Sequence, residues 1–437
     1  MKLHIIGALA AFALGTSVAL AQTAPSPAPA ASPAAVASPA APAVTFNGAV
    51  DMLYTKTLGA GGLQFTGTPP LSVGNNFAFG PQNARGFDYI NDAPTLEDLN
   101  LSAALNSGPW GGRILLNFGP QANVSYTYPS DFASLDISQA YLTYTKGKLT
   151  VTGGKFATLA GYESSESVND TTVSRGILFW YQPATHTGGR LTYALNSKLS
   201  VIGGVNEGWN TWKKVSSGYT AEYALLYNPT SALSLTAQGY SGYSRLGNYG
   251  GPNRNATIDF PLGVPAGDPT VAQGQKRLLD LVGTYHVTPK LTVAANYDSG
   301  SQSCTTTGLA AHCADGTGWN AFATVNTGSL ASWSGLAGYV VYQVTPKLTG
   351  TLRYEGFHDA NGFQTGYAQL WHEGTVAASY AASSNLTLRA EYRQDKSSLP
   401  VFNTPANSPL VTGATYAFGT TGTNTNNTLG LEALVHF

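Results

Sequence analysis

From Val44 onward one pattern governs the chain: two segments of about ten residues alternate with period two around a very short turn, and a longer polar loop follows. Asn385 to Asp395 shows it plainly. Leu386, Leu388, Ala390 and Tyr392 fall on one face, and Thr387, Arg389, Glu391 and Arg393 on the other. A helix would scatter these residues, whereas a strand separates them. Lys347 to Gly356 repeats the arrangement, with Leu348, Leu352 and Tyr354 against Thr349, Thr351, Arg353 and Glu355. The turns are near-copies of one another: Thr145-Lys146-Gly147-Lys148-Leu149, Asn196-Ser197-Lys198-Leu199, Thr288-Pro289-Lys290-Leu291 and Thr345-Pro346-Lys347-Leu348. Each uses residues suited to tight reversals.

Segment length decides what such strands build. Ten residues tilted by about 45° span roughly 23 Å, close to the apolar band of an outer-membrane barrel. Strands of soluble sandwiches are nearer five or six residues. The spacing predicts sixteen strands, near 44–56, 95–106, 110–119, 135–146, 148–157, 186–196, 198–207, 217–228, 231–243, 276–287, 290–299, 334–345, 347–356, 371–382, 385–395 and 427–437. The fold class is therefore all-β: a transmembrane antiparallel up-and-down β-barrel with short periplasmic turns and long outer loops. The even count returns both ends of the barrel to the short-turn side. The weakly alternating stretch 318–327 is assigned to an outer loop. The last strand, NTLGLEALVHF, ends on Phe437, the kind of terminus that serves as an assembly signal for outer-membrane proteins.

The N-terminus sets the compartment. Lys2, an apolar core from Ile5 to Leu20 and a small-x-small site at Ala19-Leu20-Ala21 predict a signal peptide over 1–21, with Gln22 as the mature start. Residues 22–43 form an Ala/Pro/Ser-rich run that reads as a disordered tether. The barrel then occupies 44–437, in the bacterial outer membrane. Only 10% of residues are charged, against about a quarter in an ordinary soluble domain. Lys and Arg number 22 and Asp and Glu 23, which argues against a nucleic-acid partner. The two cysteines, Cys304 and Cys313, lie close together in a Gly/Thr/Ala-rich segment and are expected to form a local disulfide. His312 beside Cys313 lacks the further ligands a metal site needs, so no metal and no cofactor is expected.

The polar faces carry the candidate functional residues. Charges facing lipid cost about 2–4 kcal/mol each at mid-depth for Arg or Lys, so Arg113, Arg190, Arg353, Arg389, Arg393, Glu355 and Glu391 are expected to line a wet interior. The structural alternative is that they form salt-bridge ladders between adjacent strands. The third outer loop, 158–185, joins an acidic stretch (Glu163, Glu166, Asp170) to Ser174-Arg175 and the apolar run Ile177 to Tyr181. An apolar run in a loop needs burial. One arrangement folds the loop inward, with Ile177 to Trp180 on the barrel wall and the acidic stretch facing the pore; the other is a cap on the outer surface. Tyrosines near strand ends, among them Tyr144, Tyr193, Tyr227, Tyr354 and Tyr392, suit the aromatic girdles at the membrane interfaces.

Several of these segments together resemble the β-barrel porins of the BBP2 (OmpL-like) type. They are Ser174-Arg175-Gly176-Ile177-Leu178-Phe179, Pro183-Ala184-Thr185-His186-Thr187-Gly188, Ser138-Gln139-Ala140-Tyr141, Gly154-Lys155-Phe156, and Leu386 to Asp395 with its Arg-Ala-Glu-Tyr-Arg. The resemblance covers essentially all of 44–437 and implies an outer-membrane barrel with pore function. It supplies no substrate and no catalytic positions. The function expected is passive diffusion of small hydrophilic solutes or ions through a water-filled channel. The alternatives are a plugged structural or adhesive barrel and, more remotely, a barrel enzyme. Gly-x-Ser-x-Gly, His-Glu-x-x-His and a phosphate-binding glycine loop are all absent from the sequence. The partners expected are the lipid bilayer, the outer-membrane assembly machinery and the permeating solutes. Small outward residues such as Gly203, Gly239, Gly283 and Gly338 leave a homotrimer and tight packing within one barrel both open.

Overall fold

The computed structural model of the protein describes residues 43–58, 88, 93–124, 135–212, 218–245, 273–303, 330–360, 364, 368–399, 402 and 423–437. Sixteen strands form within them: β1 (Ala43–Leu58), β2 (Pro94–Ser107), β3 (Trp110–Phe118), β4 (Leu135–Lys146), β5 (Leu149–Ala157), β6 (Thr185–Ala194), β7 (Leu199–Asn206) and β8 (Thr220–Thr230), then β9 (Leu233–Arg245), β10 (Gln273–Thr288), β11 (Leu291–Ser303), β12 (Leu330–Thr345), β13 (Leu348–Asp359), β14 (Gln369–Ala381), β15 (Leu386–Ser397) and β16 (Thr425–His436). Each pairs antiparallel with its sequence neighbour, and β1 pairs with β16 to close the barrel. Every strand expected from the alternation is present, with ends displaced by a few residues. β10 to β13 run further toward the outer side than expected. The signal peptide, the tether, Cys304, Cys313 and the stretch 318–327 lie outside the described residues.

Burial is inverted relative to a water-soluble protein. Outward positions are apolar and exposed: Leu352 by 52%, Val376 by 55% and Leu431 by 54%. Inward positions are charged and buried, with Asp280, Glu355 and Asp395 at 0%. A soluble sandwich would show the reverse, so these faces define a barrel whose outer surface meets lipid. Near the short turns the aromatic girdle forms as expected: Tyr144 packs on Trp110 with ring centroids 4.7 Å apart, and Tyr193, Tyr227, Tyr285 and Tyr380 are exposed around the same rim.

The closing seam uses the chain's last residue. Phe437 exchanges backbone hydrogen bonds with Gly48 (2.9 and 3.0 Å), and its ring lies where a Cβ on residue 48 would stand. Glycine there admits the terminal aromatic against the wall. A β-bulge between β1 and β2 shifts the register at Asp51/Met52. As a result Glu97 and Asp98, adjacent in sequence, are both buried, at 2% and 1%.

Candidate functional site

The chain between β5 and β6, residues 158–184, folds into the lumen. Its apolar run supplies one driving force. Ile177–Trp180 forms a single helical turn, α1, that packs on β12 and β13. Ile177 and Leu178 are buried at 2% and 1% within an aromatic cluster that includes Trp333 and Phe357. Tyr181 stacks on Phe357 at 4.5 Å and Tyr162 lies 4.3 Å from Tyr339. Phe179 and Trp180 are only half-buried.

Folding a loop into a barrel strands its backbone donors and acceptors, and each needs a partner there. The wall provides them as charges. Glu391 accepts from the backbone N–H of Val173 (2.7 Å) and Ser174 (3.1 Å) and from the Ser174 hydroxyl (2.5 Å). Glu355 accepts from the N–H of Ile177. Arg353 donates to the Ser174 carbonyl (2.8 Å), to Glu163 (2.5 Å) and to Glu373 (2.5 Å). Arg393 donates to the Arg175 carbonyl (2.5 Å) and pairs with Asp395 (2.6 Å). Arg389 reaches the carbonyls of Ser167 (3.0 Å) and Asp170 (2.6 Å) and pairs with Glu432 (2.5 Å). The loop also ties to the wall beyond β16, where Ser167 donates to Asp51 on β1 (2.6 Å) and Arg113 on β3 grips Glu166 with two bonds (2.8 and 2.7 Å). Near β6, Gln182 donates to Asp298 (2.7 Å) and Asn296 (2.9 Å).

Within the loop, Arg175 pairs with Asp170 (2.9 Å) and donates to the Ser164 carbonyl (2.6 Å). Burial pushes the Asp170 carboxyl up from 3.8 to about 6, against the pull of Arg175. Burial likewise raises the Tyr162 phenol to about 12. Gly176 sits where Glu355 and Glu163 converge. Its N–H donates to Glu163 (2.6 Å), and a Cβ would overlap both carboxylates.

Nine of the ten residues expected to line the pore are thus joined in one network or its immediate fringe. Arg190 is the exception: it pairs with Glu222 (2.6 Å) and lies 4.2 Å over the Phe156 ring. The inward-folded arrangement of the loop holds and the outer cap does not. The acidic stretch differs from the expectation that it faces the pore. Glu163, Glu166 and Asp170 are buried at 6%, 8% and 6% and turn toward arginines, because a carboxylate carried into the wall contacts needs a cation there. Asp51 is inward, as its strand face predicts. Sequence reasoning missed Glu373 and Gln182 and gave Ser174 no anchoring role; Glu373 lies on an inward strand position, whereas nothing marks Gln182 or Ser174 as anchors until the loop is known to cross the lumen.

Among the described residues, the buried charged side chains comprise seventeen carboxylates against six Lys and Arg. Both oxygens of Glu97, Asp51 Oδ1 and Asp98 Oδ1 are buried without a hydrogen bond. No three His, Cys, Asp or Glu side chains among the described residues are grouped to hold a metal ion.

These features define a porin-type outer-membrane barrel with a loop folded into its lumen. The sequence matches the family described as "Putative beta-barrel porin-2, OmpL-like" over residues 43–437, and the chain belongs to that family. It is located in the bacterial outer membrane. Among solved structures, it is similar to the trimer form of OmpT from Vibrio cholerae, with a TM-score of 0.51 and 11% identity, covering 91% of this chain and 100% of that one. An anion-selective porin from Comamonas acidovorans gives a TM-score of 0.51 at 9% identity, again covering 91% and 100%. At such identities the likeness is one of fold. No curated protein matches the sequence.

Proposed function

We propose that the protein is a passive diffusion channel for small hydrophilic solutes or ions, narrowed by the 158–184 loop. The observation that carries this reading is the loop's attachment to the wall from β9 round to β16, β1 and β3. A sixteen-stranded barrel encloses more lumen than its own side chains fill. A loop fixed along one side constricts that lumen, and the inner face of β4 to β8 forms the opposite bank. The excess of buried carboxylates favours cations over anions. The competing reading is a plugged structural or adhesive barrel, and the near-complete burial of Arg353 and Arg393, at 2% and 1%, favours it.

Single-channel recording of the refolded mature protein in a planar bilayer separates the two. Stepwise conductance with a cation-signed reversal potential in a salt gradient is the expected result. A protein that inserts but stays silent selects the plugged barrel. A homotrimer is part of the same proposal. β5, β6 and β7 have only 9, 10 and 8 residues, and the outward glycines Gly153, Gly189 and Gly203 have no side chain over them. Gly239, by contrast, is covered by the Tyr223 ring. A cysteine at position 203 is expected to cross-link protomers, whereas one at the outward position 376 is not.

A further inference from the structure

We infer that the short-turn rim of the barrel binds the anionic headgroups of phospholipids in the inner leaflet of the outer membrane. Five lysines lie on this rim: Lys146 and Lys148 in the β4–β5 turn, Lys198 between β6 and β7, Lys290 between β10 and β11, and Lys347 between β12 and β13. All but the half-buried Lys290 are exposed. The seven turns, 107–110, 146–149, 194–199, 230–233, 288–291, 345–348 and 381–386, contain no Asp or Glu. The turns of the rim thus carry cationic side chains in four of seven cases and acidic ones in none, in a barrel whose interior is acidic.

The turns themselves do not require lysine. Thr288 closes its turn by accepting from the N–H groups of Lys290 (3.2 Å) and Leu291 (3.0 Å) through its hydroxyl. Thr345 does the same for Lys347 and Leu348 (3.2 and 3.0 Å), and the Asn196 side chain for Lys198 and Leu199 (2.8 and 3.1 Å). Thr230 closes the equivalent turn around Ala232 and Leu233 with identical 3.2 Å bonds. Alanine at the lysine position leaves the geometry unchanged, so the lysine side chain serves something beyond the turn. Lys148 donates to the neighbouring Leu195 carbonyl (2.9 Å) and Lys347 reaches the Ala382 carbonyl (3.5 Å). Each ammonium has three donors, which leaves most of them for an external acceptor.

Depth selects the acceptor. Lys148, Lys198, Lys290 and Lys347 each directly precede the leucine that begins the next strand, and the girdle of Tyr144, Tyr193, Tyr227 and Tyr285 lies beside them. Leucine and tyrosine fix the edge of the apolar band, and the lysine stem carries its charge outward to the level where lipid phosphates lie. A soluble anion has no reason to match that depth, whereas a phosphate on a lipid does.

The test reconstitutes the mature protein in vesicles of phosphatidylglycerol and phosphatidylcholine, extracts it, and quantifies retained lipid by native mass spectrometry. The wild type should retain phosphatidylglycerol preferentially. Replacing Lys146, Lys148, Lys198, Lys290 and Lys347 by Gln should reduce that preference by up to about five-fold per lysine, the factor expected for one interfacial cation. Lys396→Gln, on the opposite rim, should change nothing. Heat-modifiable gel migration confirms that each variant is folded. Equal retention of the two lipids by the wild type, or an unchanged preference in the five-site variant, overturns the inference. So does a variant that keeps its lipid preference but loses affinity for cell-wall sacculi, since the rim would then serve a carboxylate polymer instead.

Discussion

The inner faces of β12–β16 and of β4–β8 follow the same alternation yet hold opposite contents. The first presents Arg353, Glu355, Glu373, Arg389, Glu391 and Arg393, all buried. The second presents mainly small or neutral side chains such as Thr152, Ser200, Ile202 and Ala224, and its charges pair with each other, Arg190 with Glu222 and Lys155 with Asp136. The strands differ too, with 16 residues in β12 and 8 in β7. Periodicity decides which face a residue occupies; what that face meets decides its chemistry. Where a loop backbone must be received, the wall carries charged groups whose geometry matches peptide N–H and C=O groups. Where nothing docks, small polar residues suffice.

Breaking the charged wall should therefore cost far more than altering the plain one. Arg353→Ala takes the cation from Glu163, leaves Glu373 only the longer 3.4 Å contact with Arg393, and leaves the Ser174 carbonyl without a donor. The expected loss is about 3–5 kcal/mol, the usual penalty for an uncompensated buried charge. Ser200→Ala on β7 should stay within about 0.5 kcal/mol. Urea unfolding of the refolded barrel measures both, and equal losses would abolish the distinction between the two sectors.

How much of this was legible in the sequence follows from the same distinction. Leu386 to Asp395 declares its strand and its sidedness because period two is a local signal. The polar faces likewise declared Arg353 and Glu391 as inward, and the apolar run Ile177 to Tyr181 declared that its loop needs burial. The pairing of Arg353 with Glu163 could not be read, since 190 positions separate them and only the path of the loop joins them. Glu163, Glu166 and Asp170 looked like a pore-facing acidic stretch for that reason. Gln182 gives no signal of its own, being one polar residue among many in a loop.

Acidity should sharpen the comparison next. The Asp170 carboxyl titrates at about 6 in the docked loop, above its ordinary 3.8, because burial outweighs the Arg175 attraction. The docked state then holds its proton more tightly than a released loop does. Docking should strengthen as pH falls through about 6 toward 4 and weaken as pH rises, by at most about 3 kcal/mol. Hydrogen exchange of amides 163–175 at pH 7 and pH 5 reads this directly. Asp170→Asn should remove the extra pH dependence, and protection that drops on acidification in the wild type relative to that variant would refute the sign. Gly176→Ala should act on the same contact by crowding. Its methyl group would displace the Glu355 and Glu163 carboxylates, at about 1–3 kcal/mol, without changing any charge.

Among the loop's own contacts the smallest effect belongs to Arg113, where the loop leaves the charged wall and meets the plainer one. Its pair with Glu166 has two short bonds, but the Arg113 side chain is 26% exposed and Glu166 10%. Solvent screens such a pair, so Arg113→Ala should cost no more than about 1 kcal/mol in unfolding. Its consequence should appear in the channel instead. Freed from β3, the 163–170 tip remains held by Arg389 and Arg175, so the loop should stay docked while its tip moves. Single-channel records should then show a noisier open level and a larger current. An Arg113→Ala protein with wild-type conductance and noise would mean that the passage does not run beside this contact.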